Sequence, residues 1–195
     1  MHINPYGEGP VLLAVDLAND PPVDLAALVQ RCDAHDVRVE SVGPGDFGAS
    51  RVLIAAWLTV VDAVGVCERV DRLNALLAEH ASYPRVTDHA ASGWHIHYRE
   101  PGATLAGQLA VLILTGTALH LTERGMSRLG RCASTDCARV FADVSRNGRQ
   151  KYCSPRCGSR EAVRRHRSGP NNVLTGTQVA RRQHTRRFVG GTHNT

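Results

Sequence analysis

Between Arg131 and Arg167 the chain gathers four of its six cysteines, spaced Cys132-x4-Cys137, then 15 intervening residues, then Cys153-x3-Cys157. A segment this short cannot bury enough apolar surface to hold its own shape, so a cross-link has to do it. Disulfides, a redox centre, an iron–sulfur cluster and a closed metal site all use clustered cysteines. Two close pairs suit a tetrahedron of thiolates: each tight turn presents two sulfurs ~3.7 Å apart, the edge that Zn–S bonds of ~2.3 Å demand. The first residues show no basic stretch leading into an apolar one. The longest apolar run, Leu109 to Leu121, is 13 residues, against roughly 20 for a bilayer span. The expectation is a cytoplasmic protein with no membrane partner, a setting in which disulfides are rare. One structural Zn²⁺ on Cys132, Cys137, Cys153 and Cys157 is the favoured reading, and four thiolates leave no open position for catalytic water.

The residues around the cysteines suggest a framework. The stretch from Arg139 to Cys153 reads as a hairpin turning at Asn147-Gly148, with Phe141 and Tyr152 as a miniature core. Ser154-Pro155 supplies an N-cap and a first-turn proline, so a helix is predicted to start there, with Cys153 just before it and Cys157 in its first turn. Along that helix Arg156, Arg160, Arg164 and Arg167 recur at spacings of four, four and three, flanked by Arg165 and His166. Such a stripe fits a phosphate backbone or a groove, and DNA is the expected partner. The bland alternatives are a solvated basic face or a stripe docking onto the acidic body.

Charge is divided unevenly. Residues 1–130 carry 9 basic and 15 acidic side chains, a net of −6, whereas residues 131–195 carry 14 and 3, a net of +11. An acidic body with a basic end points to an anionic partner at that end. The arginine bias, with Lys151 as the one lysine, is also what a GC-rich genome produces.

The body is expected to be α+β and mainly helical. Val11 to Asp20 is a strand or short helix stopped by Pro21-Pro22. Leu25, Leu28, Val29 and Cys32 follow at helical spacing, which makes Cys32 a core residue. Helices are predicted through Arg51–Val64 and through Cys67–Ala81, with Cys67 again structural, and a long central one over Thr104–Arg124. Between these, Tyr83–His89 and Gly93–Glu100 look like a hairpin whose Trp94, Ile96 and Tyr98 alternate with His95, His97 and Arg99 as in a half-buried strand. His95-x-His97 is more simply a wet strand face than a metal pair. The domain reading is 1–129 body, 130–168 zinc-stabilised hairpin-plus-helix finger, and 169–195 a disordered basic tail.

The run from Cys132 to Arg167 resembles the bacterial CGNR zinc finger. Cys132, Cys137, Cys153 and Cys157 match its four ligands. Phe141, Asp143, Ser145, Arg146 and Asn147 match its F-x-D-x-S-R-N run, and Ser154 matches the C-S step. Gly158 and Arg160 match the tetrad, in which Ser159 replaces the asparagine, and Ala162 stands where a lysine is common. "LAVDLAND" resembles the opening L-x-L-D-F-x-N-T motif of the ABATE domain, which accompanies that finger in proteins described as stress-induced transcription regulators. The resemblance implies a regulator whose body senses a ligand or binds a partner, with Asp16 and Asn19 as the candidate N-terminal site.

Three function classes follow. The leading one is a zinc-dependent DNA-binding transcription regulator using Arg156, Arg160, Arg164, Arg165 and Arg167, with Arg181, Arg182, Arg186 and Arg187 adding non-specific charge. One finger offers little area, so a homodimer reading paired half-sites is attractive. The alternative is a protein–protein interaction module with a structural zinc finger. An enzyme is not expected, since Asp16, Asp20 and Asp24 read as turn and helix-start carboxylates.

Overall fold

A computed structural model describes residues 7–39, 41–88 and 94–168. Among the described residues, six helices and two short antiparallel ribbons run in the order α1 (Glu8–Asn19), α2 (Leu25–Ala34), α3 (Asp46–Val61), α4 (Val66–His80), β1 (Arg85–Thr87), β2 (His95–His97), α5 (Leu105–Arg124), β3 (Leu129–Arg131), β4 (Val140–Ala142) and α6 (Pro155–Ser168). The residues expected to form a basic tail, 169–195, lie outside the described ones.

The core is built around α5. Its 20 residues are long and apolar enough to cross a membrane by length and composition, and the same composition serves a central helix. Leu105, Leu109, Ile113, Leu114 and Leu121 are all essentially buried, against Leu13 and Leu17 of α1, Leu53, Trp57 and Val60 of α3 and Leu73 of α4. The Trp57 indole N–H donates to Thr117 Oγ1 at 2.9 Å, and that hydroxyl donates to the Ile113 carbonyl at 2.7 Å. The opening segment resolves as a helix because Pro10, Leu13, Ala14 and Leu17 recur at helical spacing and meet α5. Its entry is backbone against backbone: Gly7 has φ +62°, and a Cβ there would lie 2.0 Å from Gly116 O.

Single carboxylates join elements that the chain separates widely. Asp24 caps α2, accepting from Ala27 N at 2.8 Å. Asp46, at the start of α3, accepts from Gly43 N at 2.7 Å and from Ala106 N at 2.9 Å, capping α5 from 60 residues away. Burial alone would raise its pKa, and these amides outweigh that and hold it below the usual carboxylate range. Arg69 of α4 donates to the Val60 and Val61 carbonyls at 3.2 and 3.1 Å and to Met126 O, tying the end of α3 to the α5–β3 connection.

Two expectations need correction. The hairpin β1–β2 forms, with Val86 opposite Ile96, but most of its apolar face is exposed: Val86, Trp94 and Ile96 are 70%, 77% and 51% exposed, while Tyr98 is half-buried. Alternation marks two chemically different faces and says nothing of whether another element covers one. Cys32 is fully buried as expected, its thiol pushed up to about 11 by burial, whereas Cys67 is exposed on α4 rather than structural.

His120 of α5 is fully buried, with Nε2 3.4 Å from Arg128 O and no hydrogen-bond partner for Nδ1. Burial first, then the nearby Arg124 and Arg128 charges, hold its pKa below the ordinary value against the opposing pull of the Arg128 carbonyl and Glu8. The folded chain therefore resists a proton that the unfolded chain accepts near pH ~6.5, so stability is full above that pH and falls as pH drops below it. Urea midpoints measured at pH 7.5 and 5.5 should fall together with pH in the parent protein and fall less in His120→Gln.

Candidate metal centre

The four cysteines come from three local structures. In the ribbon β3–β4 Arg131 pairs with Val140, and Cys132 N donates to Arg139 O at 2.8 Å to add one more rung. The loop beyond it turns back through Cys137 N to Ser134 O at 3.0 Å, so Cys132 and Cys137 face one another across a knuckle. Ala133 N donates to Lys151 O at 2.8 Å, drawing the second cysteine pair alongside. Ser154 then caps α6 through Cys157 N at 3.3 Å, and Pro155 opens it, as the sequence predicts.

The sulfurs meet as a closed set. All four Sγ atoms lie within 4.8 Å of one another, with Cys137–Cys153 at 3.6 Å and Cys153–Cys157 at 3.8 Å. A tetrahedral site with Zn–S bonds of ~2.3 Å has edges of ~3.8 Å, so the residues fit a four-coordinate thiophilic ion. Outer groups suit thiolates as well. Cys153 N points at Cys132 Sγ (3.4 Å) and Arg160 Nη2 at Cys157 Sγ (3.2 Å), the kind of N–H···S support that orients metal ligands. Ser154 and Arg160 draw the Cys157 thiol down to about 6. Burial, then the neighbouring sulfurs, push Cys153 up to about 12. Among the described residues this is the one group of three or more side chains placed to hold a metal ion; the side chain of His95 is outside them, so the His95-x-His97 pair stays without a structural account.

The finger's hairpin is present, but its residues differ from those expected. The strands are Leu129–Arg131 and Val140–Ala142, with the first knuckle as their loop, and the segment through Asn147-Gly148 is a turn held by a side chain. Asp143, nearly fully buried, accepts from Ser145 N at 2.9 Å and Gln150 N at 3.0 Å. Arg128 closes the other side with a bond to Ser145 O at 2.7 Å and a 3.5 Å contact to the Asp143 carboxylate. Gly148, at φ +65°, leaves room for the Arg128 guanidinium, which would lie 2.4 Å from a Cβ. The Asn-Gly signal marks the tight turn correctly, but a buried carboxylate replaces the strand ladder that the signal usually accompanies. Phe141 is buried, and Tyr152, half-buried, lies over Gly158.

The candidate DNA-contacting arginines divide. Arg156, Arg165 and Arg167 are exposed on α6. Arg160 is exposed with its guanidinium turned toward Cys157. Arg164 is half-buried and engaged at the surface, bound to Asp136, Thr135 and Glu161, and Glu161 also accepts from Ser134 Oγ at 2.9 Å in a buried contact. This bolt between knuckle and helix escaped sequence reasoning; only its type, Ser and Glu near metal ligands, was visible. Ser159, Arg160, Val163, Arg164, Arg167 and Ser168 line a shallow recess along the outer face.

Asp16 and Asn19, the candidate N-terminal site, point to different neighbours. Asp16 is bound by Arg31 at 2.6 Å and His35 at 3.1 Å, linking α1 to α2. Asn19 binds the backbone of Val140 through both amide atoms, at 2.9 and 2.8 Å. The boundary expected at 129/130 falls inside β3, and Leu129, Val140 and Ala142 belong to the same buried cluster as α1, α3 and α5.

No curated protein matches the chain as a relative. Residues 128–168, from the residue before β3 to the end of α6, match the family model of the CGNR zinc finger.

Proposed function

We propose that the protein is a zinc-dependent DNA-binding regulator in which Cys132, Cys137, Cys153 and Cys157 hold one structural Zn²⁺ and α6 meets the duplex. The observation that carries this reading is the exposed basic face of a helix whose first turn holds Cys157: Arg156, Arg160 and Arg167 share that face and are exposed, and Arg165 is exposed on the opposite side of α6. The ion supplies a cross-link and no reactive position. The body would sense a ligand or bind a partner, in the cytoplasm and away from membranes, and no catalytic role is assigned to it.

Binding of the purified chain to a fluorescent genomic duplex, across a salt series with and without a zinc chelator, tests this. Neutralising about four to six phosphates gives a slope of log K against log salt of roughly −4 to −5. Arg167→Ala should flatten that slope by about one. Arg164→Ala should leave it nearly unchanged, because its guanidinium already serves Asp136 and Glu161. Absence of a shift at low salt overturns the reading, and binding that survives chelation transfers it to residues 169–195.

A second reading is favoured by one observation: the uncovered apolar face of β1–β2, with Trp94 77% exposed, suits a protein partner. On that reading the finger is structural and the duplex never shifts.

A further inference from the structure

At the end of α1 stands a side chain that substitutes for a strand. Asn19 Nδ2 donates to Val140 O at 2.9 Å while its Oδ1 accepts from Val140 N at 2.8 Å. One amide thus satisfies both hydrogen-bonding groups on that edge of β4, as a neighbouring strand would. The residue paired with Val140 is Arg131, and it is clamped from the other direction. Asp62, the C-cap of α3, takes its Nε at 2.7 Å and its Nη2 at 2.8 Å, while Nη1 donates to Ala138 O at 2.6 Å. The Arg131–Val140 rung is therefore gripped by α1 and α3 together. The first cysteine pair hangs directly from it, since the next rung is Cys132 N to Arg139 O.

We propose that Asn19 and Asp62 are positioning residues for the metal centre, so that the grip on zinc belongs to the whole chain and not to residues 128–168 alone. A preset rung removes part of the ordering cost that metal binding to a loose segment must meet. Coupling is reciprocal, so the bound ion also restrains the last turn of α1 and the end of α3. This rests on reading the cysteine cluster as a zinc site, and the two ideas fail separately.

The test uses the full chain and Zn²⁺ itself, competed against a chromophoric chelator at pH 7.5 with folding checked by circular dichroism. Asn19→Ala should weaken zinc binding roughly tenfold, the effect of about 1.4 kcal/mol, and Asn19→Ala with Asp62→Ala should weaken it further. Should Asn19→Ala not fold, Asn19→Asp carries the test, since it keeps an acceptor for Val140 N and loses the donor to Val140 O. Leu73→Ala, a core change on α4 away from the rung, should leave the affinity of the folded protein unchanged. Chelation should also speed hydrogen exchange at Val140 and the last turn of α1 more than in α4. Parent-like affinity in the Asn19 variants overturns the coupling. An equal loss in Leu73→Ala reduces it to general stability. A parent chain that binds no zinc removes the metal reading itself.

Discussion

Stripping the metal, or replacing Cys153 with Ser, is expected to unfold residues 128–168 and to lower the melting temperature of the body by about 10 °C or more. Structural zinc contributes on the order of 10–16 kcal/mol of apparent binding energy in small finger peptides, comparable to the whole stability of an ordinary domain. Beyond Leu129, Val140 and Ala142, which pack on the body, the finger's apolar content is Phe141, Tyr152 and little else, which cannot replace that contribution. The loss spreads because Leu129, Val140 and Ala142 are shared with the core of α1, α3 and α5. Releasing three buried side chains forfeits several kcal/mol at about 1.5–3 kcal/mol for each large one, and each kcal/mol moves the melting temperature of a chain this size by about 2–4 °C. Thermal melts followed at 222 nm, with and without a strong chelator, decide the matter. Identical melts for a protein verified to be metal-free would make the cysteine cluster a bystander.

Trp57→Ala should destabilise the body by about 3–5 kcal/mol, enough to leave it partly unfolded at 37 °C. The indole is fully buried between α3 and α5, so its removal leaves a cavity that surrounding Leu and Val side chains fill only in part. It also removes the donor to Thr117 Oγ1. Trp57→Phe separates the two effects. It keeps most of the volume and loses the N–H, for an expected cost of about 1–2 kcal/mol, because Thr117 retains its bond to Ile113 O. Chemical denaturation by circular dichroism gives both values. A Trp57→Phe cost as large as that of Trp57→Ala would place the hydrogen bond, and not the packing, at the centre of this contact.

Much of the candidate site was legible in the chain because it depends on neighbours in sequence. The spacing of Cys132, Cys137, Cys153 and Cys157 fixes which sulfurs a turn and a helix start can bring together, and Ser154-Pro155 states where α6 begins. Helices α2 and α4 follow from apolar spacing in the same way, and α3 and α5 from the length of their apolar runs. The stripe on α6 was also visible as a pattern, but its use was not. Nothing local distinguishes Arg164, turned to Asp136 and Glu161, from Arg167 on the outside.

By itself, then, the amino-acid sequence determined the short-range geometry: the helices other than α1, the two cysteine pairs, the capped start of α6 and the acidic body with its basic end. The tertiary structure alone decided which residues meet across long separations. Asn19 reaches Val140 across 121 residues and Arg131 reaches Asp62 across 69, while the apolar face of β1–β2 is left uncovered. Periodicity reports the preference of a face for water or for a core, a property of the chain within a few residues. A partner is set by where distant elements come to lie when they share one core, and no local pattern encodes that.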